Sequence, residues 1–100
     1  MQERVRVLGL KVPPEKMEEV ERAYHDSLLP MMRQQEGFRV LLLLWDPDTG
    51  EALEVTLWDS EEARRSSEAE GGPVPTKADT RGKILGDRPA IRSYELRIAL

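Results

Sequence analysis

The side chains in this sequence that could take part in chemistry are few, and three of them are Tyr24, His25 and Trp58. His25 is the only histidine, and histidine can act as a general base because it exchanges a proton near neutral pH. An exposed helix position with no carboxylate to orient the ring is the alternative for His25. Trp58 could stack on a flat ligand, although packing at a strand–helix junction is the favoured alternative, and Tyr24 could bond a ligand oxygen or equally be a core side chain.

Other kinds of site are excluded by composition. The chain has no cysteine and one histidine, so it offers no thiolate nucleophile, no disulfide and no transition-metal constellation. The acidic pairs Glu18-Glu19 and Glu61-Glu62 fall in the first turns of predicted helices, where the helix dipole favours negative charge. Neighbours on a helix point about 100° apart, so neither pair forms a shared site. The sequence therefore predicts no metal and no cofactor.

Length and charge limit the class of protein. The chain has 100 residues and a net charge of −4, which predicts one domain over residues 1–100 and disfavours nucleic-acid binding. No apolar stretch is long enough for a membrane span, and no signal-peptide pattern is visible, so we expect a cytoplasmic protein without membrane contact. Asparagine is absent and arginine outnumbers lysine eleven to four, a bias that favours a heat-adapted source.

The helices and strands are predicted from the periodicity of apolar residues and from the proline, glycine and turn residues that separate them. Four segments predict strands and two predict helices in the order βαββαβ, the ferredoxin-like α+β arrangement. The strands are Arg4–Val12, Phe38–Trp45, Ala52–Trp58 and Ala90–Ala99, and the helices run from Pro14 to Gly37 and from Ser60 to about Gly71-Gly72. The first helix carries an inward stripe through Tyr24, Leu28, Met31 and Gln35, with a kink or break expected at Pro30. Residues 71–89 are rich in glycine, proline and charge, and a short helix over Thr76–Leu85 is possible there.

Two strands are apolar on both faces, which two helices cannot cover. A four-stranded antiparallel sheet with both helices on one face would leave the other face exposed, so the pattern predicts a homodimer packed sheet to sheet. We expect Thr56 to share the pocket face with Trp58. The candidate dimer-interface residues are Leu41, Leu43, Trp45, Leu53, Val55 and Leu57.

Three stretches resemble the antibiotic-biosynthesis-monooxygenase-like family, which has a dimeric α/β-barrel fold. They are Leu28-Leu29-Pro30 through Glu36-Gly37-Phe38-Arg39, then Val55-Thr56-Leu57-Trp58-Asp59-Ser60-Glu61-Glu62-Ala63, and finally Ser93-Tyr94-Glu95-Leu96. The resemblance covers nearly the whole chain. It implies a barrel of two facing sheets with a pocket between sheet and helices, and Tyr24, His25, Thr56 and Trp58 are the candidate pocket residues.

The resemblance also implies a function. Members include cofactor-independent monooxygenases of small aromatic or quinone-like substrates and haem-degrading oxygenases. Both types commonly use a pocket asparagine, which this chain lacks, and haem degraders use a histidine after the tryptophan, whereas His25 precedes Trp58. Haem degradation is therefore not expected. A cofactor-independent monooxygenase is one hypothesis, and a non-catalytic, stress-related or regulatory dimer binding a small hydrophobic ligand is the other.

Overall fold

The computed structural model describes residues 3–68 and 90–99. Their elements follow the predicted βαββαβ order, which confirms the α+β fold class; the expectations for residues 71–89 lie outside the described residues. The elements are β1 (Arg4–Lys11), α1 (Pro14–Ala23), a π-helical turn (Tyr24–Leu28), α2 (Leu29–Arg33), β2 (Phe38–Trp45), β3 (Glu51–Trp58), α3 (Glu61–Ser67) and β4 (Ala90–Glu95). The last strand is shorter than predicted, since β4 ends at Glu95 and residues 96–99 are outside it, although the Leu96 N–H still bonds the Glu3 carbonyl at 3.0 Å.

The sheet has the strand order β2-β3-β1-β4, and every neighbouring pair is antiparallel. The central strand β1 pairs with β3 on one side and β4 on the other. The first helical region and α3 contribute the buried residues that pack on one face of this sheet. No helix of the described part of the chain is long and apolar enough to cross a membrane.

In β2, the side chains that face the helices are not the ones that the sequence predicted. Leu41, Leu43 and Trp45 pack against the helices, although the sequence placed them among the candidate dimer-interface residues. The register between β2 and β3 shifts between Phe38 and Val40, so alternation counted along the sequence from Phe38 does not continue past this bulge. Phe38 pairs with Trp58 on the helix-covered side, and Val40 then points to the opposite face with Leu57.

The opposite face of the sheet, here called the open face, is apolar and uncovered. Its exposed members include Val40, Leu42, Leu44 and Leu53, which are 42–50 % exposed. Val55 and Leu57 lie on this face as predicted and are half-buried. Apolar patches of this kind mark interaction sites.

The first helical region, Pro14–Arg33, departs from regular α-helical hydrogen bonding just before Pro30, where a kink or break was predicted. The backbone N–H of Leu29 bonds the carbonyl of Tyr24, a five-residue step in place of the usual four. Buried positions beyond the turn are consequently displaced by one residue. Met32 is fully buried, whereas Met31, which the α-helical pattern predicted to face inward, is half-buried and packs against the core.

The junction of β3 and α3 forms as its sequence indicates. The Ser60 side chain accepts a hydrogen bond from the Ala63 backbone N–H at 3.2 Å, a standard helix N-cap. Glu61 and Glu62 occupy the first turn, and the last turn carries two arginines. These charges interact favourably with the helix dipole. Trp58, the last residue of β3, therefore lies just before the N-terminus of α3.

Candidate active site

Trp58 lies on the helix-covered face and is fully buried. Its indole N–H donates to the Thr56 hydroxyl at 3.0 Å, because residues two apart on a strand share a face. Phe38 meets the indole edge to face with ring centroids 5.5 Å apart. The guanidinium carbon of Arg6, on β1, is 5.6 Å from the indole centroid, within the range of a cation–π contact.

Glu54 is a second buried polar residue on the same face of β3. The Tyr24 hydroxyl donates to its Oε1 at 2.7 Å, and both side chains are buried. Leu8 and Leu43 are its register partners on the flanking strands. Tyr24, whose hydroxyl reaches the Glu54 carboxyl group, is the first residue of the π-helical turn.

Arg6 is fully buried as well, and α3 holds its guanidinium. Its Nη1 donates to the Ser67 hydroxyl at 2.7 Å and lies 3.7 Å from a carboxylate oxygen of Glu68. Arg64 binds the same Glu68 carboxylate at 2.7 Å. The last turn of α3 is therefore tied to the sheet through charged groups.

These side chains form one buried polar cluster, defined as Arg6, Tyr24, Glu54, Thr56, Trp58 and Ser67. A buried ionisable group is tolerated only when it is paired or hydrogen-bonded, and replacing such pairs by apolar side chains is often neutral or stabilising. Packing alone therefore does not account for an arginine and a glutamate on the covered face of a small sheet. Buried ionisable groups of this kind are characteristic of functional sites.

The cluster contains three of the four residues predicted to line a pocket. Tyr24, Thr56 and Trp58 are all buried on the helix-covered side, and their role in ligand binding stays a prediction. His25 is exposed on the π-helical turn and lies outside the cluster. It matches the solvated-helix interpretation.

Arg6 and Glu54 are the cluster members that sequence reasoning missed. Both lie in strands that alternate polar and apolar residues, with Val5 and Val7 beside Arg6 and with Leu53 and Val55 beside Glu54. Such alternation usually means that the polar residues face water. The available signal was that Arg6 shares its strand face with Leu8, since residues two apart point the same way.

A separate depression of about 350 Å³ opens at the surface where α2 ends and α3 begins. It is open to solvent, and none of the cluster residues lines it. Its lining residues are Gln35, Glu36, Gly37, Asp59, Ser60, Glu62, Ala63 and Ser66. Across residues 3–68 and 90–99, no group of three or more histidine, cysteine or acidic side chains is arranged to hold a metal ion.

Comparison with known proteins identifies the fold. No family model matches the chain, and no curated protein matches it by sequence. Solved structures do match over almost the full length. The monooxygenase ActVA-Orf6 of Streptomyces coelicolor, in complex with nanaomycin D, superimposes with a TM-score of 0.75 at 20 % identity, covering 99 % of this chain and 91 % of that one.

The chain has the antibiotic-biosynthesis-monooxygenase fold. A Caulobacter crescentus protein named for antibiotic biosynthesis monooxygenase activity matches with a TM-score of 0.75 at 21 % identity, over 97 % of this chain and 92 % of that one. The heme-degrading protein Rv3592 from Mycobacterium tuberculosis matches with a TM-score of 0.70 at 20 % identity, over 99 % and 96 %. At these identities the likeness establishes the shared fold, and it confirms at that level the resemblance drawn from sequence.

Proposed function

We propose that the protein is a cofactor-independent oxygenase that binds a small aromatic or quinol-like substrate at the buried polar cluster. The observation that carries the proposal is the pair of fully buried ionisable residues, Arg6 and Glu54, on the helix-covered sheet face that also carries Trp58. A protein of the same fold is a monooxygenase in complex with nanaomycin D, which supports an aromatic ligand.

The chemistry needs a proton acceptor and a site that excludes water. A substrate carbon between two aromatic or carbonyl groups loses a proton to the Glu54 carboxylate, and the resulting anion is delocalised in the substrate itself. Arg6 stabilises the negative charge through a preorganised, buried cation. Trp58 supplies the apolar wall on which a flat ring can lie.

Oxygen is the only oxidant that the reaction requires. The anion donates electrons to O₂, and a methylene group plus O₂ becomes a carbonyl group plus one water molecule. The substrate supplies all the electrons, so no reductant enters. The protein's part is to bind, orient and deprotonate the substrate while excluding bulk water.

The test is oxygen consumption across a panel of anthrones, quinols and polyphenols. We expect at least one substrate to consume one O₂ per molecule oxidised. Glu54→Gln should lower the rate by roughly 10²–10⁴-fold, the usual contribution of a positioned base. Glu51→Gln, an exposed glutamate on the same strand, is the matched control and should stay within about twofold of wild type. Absence of oxygen consumption with every substrate would refute the proposal.

We also infer that two copies of the chain pack through the open face. The argument is the uncovered apolar surface formed by Val40, Leu42, Leu44 and Leu53, and a two-fold axis is the simplest way to cover a face of one chain with itself. Analytical sedimentation tests this inference directly. A stable monomer at micromolar concentration would exclude the dimer.

A non-catalytic role in binding a small hydrophobic ligand is the second candidate. One observation favours it: the polar groups of the cluster bond one another, as in the pairs Tyr24–Glu54, Thr56–Trp58 and Arg6–Ser67. A site closed in this way can hold a ligand without offering a reactive group. Saturable change in tryptophan fluorescence with an aromatic ligand, in the absence of any oxygen consumption, would favour this role over the oxygenase.

A further inference from the structure

We propose that Pro30 is a positioning residue for the buried polar cluster. It maintains the π-helical turn Tyr24–Leu28, and this turn places the Tyr24 hydroxyl on Glu54. The role rests on the proposed function, in which Glu54 is the proton acceptor. Helical turns of this rare type occur frequently at functional sites.

The first step of the argument is the spacing of the buried residues. Val20, Tyr24, Leu28 and Met32 are all at most 3 % exposed, and they follow one another at four-residue intervals. Each such interval overshoots a full α-helical turn by about 40°, since an α-helix turns about 100° per residue. Three intervals in a row would rotate Met32 about 120° away from Val20. A regular α-helix therefore does not bury all four.

The π-helical turn removes this mismatch. Its bond from the Leu29 N–H to the Tyr24 carbonyl encloses one more residue than an α-helical turn. The extra residue lets α1 and α2 each bury apolar side chains of their own, Val20 and Met32 among them. Tyr24 stands where the two registers meet: its own N–H bonds the Val20 carbonyl as in a regular α-helix, and its carbonyl accepts the π-helical bond from Leu29. Loss of the extra residue would rotate α1 relative to α2, and Tyr24 lies at that point of rotation.

Pro30 is the residue that disfavours the regular alternative. In an α-helical register its ring would clash with the carbonyl of Asp26, and it has no N–H to bond that carbonyl. In the observed register Pro30 sits in the first turn of α2, where a missing N–H is tolerated. His25, Asp26 and Ser27 are exposed, so the turn's inward contacts come from Tyr24 and Leu28.

The consequence lies at Glu54. The Tyr24 hydroxyl donates to Glu54 at 2.7 Å in a buried environment, and this bond fixes the orientation of the carboxyl group. Restoring a backbone N–H at position 30 should allow the α-helical register to form. The Tyr24 hydroxyl would then move away from Glu54, while the rest of the sheet face stayed in place.

The experiment follows the Tyr24 hydroxyl by nuclear magnetic resonance in the full-length, ligand-free protein. Tyr94→Phe leaves Tyr24 as the only tyrosine, and ¹³C at the ring carbon that bears the hydroxyl then reports its hydrogen bond. Pro30→Ala is added to this background, and Glu54→Leu gives the signal of a Tyr24 without its acceptor. Pro14→Ala, at the start of α1, is the control because it makes the same substitution away from the π-helical turn.

We expect the Tyr24 signal in Pro30→Ala to move to the Glu54→Leu value, with a new, exchange-protected amide at position 30 and no change in the Pro14→Ala variant. An unchanged Tyr24 signal would overturn the proposal, whether the π-helical turn persisted or the α-helical register formed without moving Tyr24. Pro30→Gln restores the same amide on an exposed, soluble side chain if the alanine variant folds poorly. Since no ligand is present, this result is independent of whether the protein consumes oxygen.

Discussion

Replacing Gly37 by alanine should destabilise the protein by an amount that the local geometry predicts. Gly37 joins α2 to β2 with φ = +81°, and an added Cβ would lie 2.5 Å from the Cβ of Ala63 in α3. Holding a residue with a Cβ in the left-handed backbone conformation destabilises the folded state by about 1–2 kcal/mol. Crowding of a packed site contributes about 1–3 kcal/mol more. The free energy of unfolding should therefore fall by about 2–5 kcal/mol.

Urea unfolding at one fixed protein concentration measures this loss, and a double-mutant cycle separates its two parts. Ala63→Gly removes the methyl group that the new Cβ would meet, so adding it to Gly37→Ala should recover about 1–3 kcal/mol of coupling energy and leave the backbone contribution. Gly50→Ala is the matched control, because Gly50 has the same φ and an added Cβ there would meet the Val12 carbonyl at 3.2 Å and no side chain closer than that. The reasoning would be refuted if the unfolding free energy of Gly37→Ala were within about 0.5 kcal/mol of the wild-type value, as is usual for surface substitutions. A coupling energy of zero with Ala63→Gly would refute it as well.

Three further outcomes can be checked on the same protein. Leu42→Ala should raise the dissociation constant of the dimer roughly thirtyfold in sedimentation experiments, because each of the two copies loses about 1 kcal/mol of apolar burial and the total is about 2 kcal/mol. Ser27→Ala, at an exposed position, is the control. An equal dissociation constant for the two variants would show that Leu42 is not in the interface. Ser60→Ala should lower the unfolding free energy by about 1 kcal/mol through loss of the α3 cap, and no loss in urea titration would mean that the cap does not stabilise α3. Tyr24→Phe should lower it by about 1–3 kcal/mol, whereas Tyr94→Phe, at a half-exposed position, should have little effect, and equal losses would argue against the Tyr24–Glu54 bond.

The residues nearest the proposed chemistry show how far sequence reasoning reaches. Trp58 and Thr56 could be placed on one face from strand alternation, and Tyr24 from the helical stripe before Pro30. Glu54 and Arg6 could not, because a charged residue in an alternating strand is ordinarily assigned to solvent. Their burial depends on the helices that lie over this face, which is a property of the assembled layers.

The sequence by itself determined the order of the elements, the β2–β3 hairpin and the presence of more apolar strand surface than two helices can cover. These features depend on local periodicity and on turn residues, which act within a few positions of the chain. Only the tertiary structure decided which face of β2 meets the helices, because the bulge after Phe38 reverses the alternation. It also decided how the first helical region passes Pro30, since the proline disfavours the regular α-helical register and the burial of both Tyr24 and Met32 in the assembled layers selects the π-helical turn.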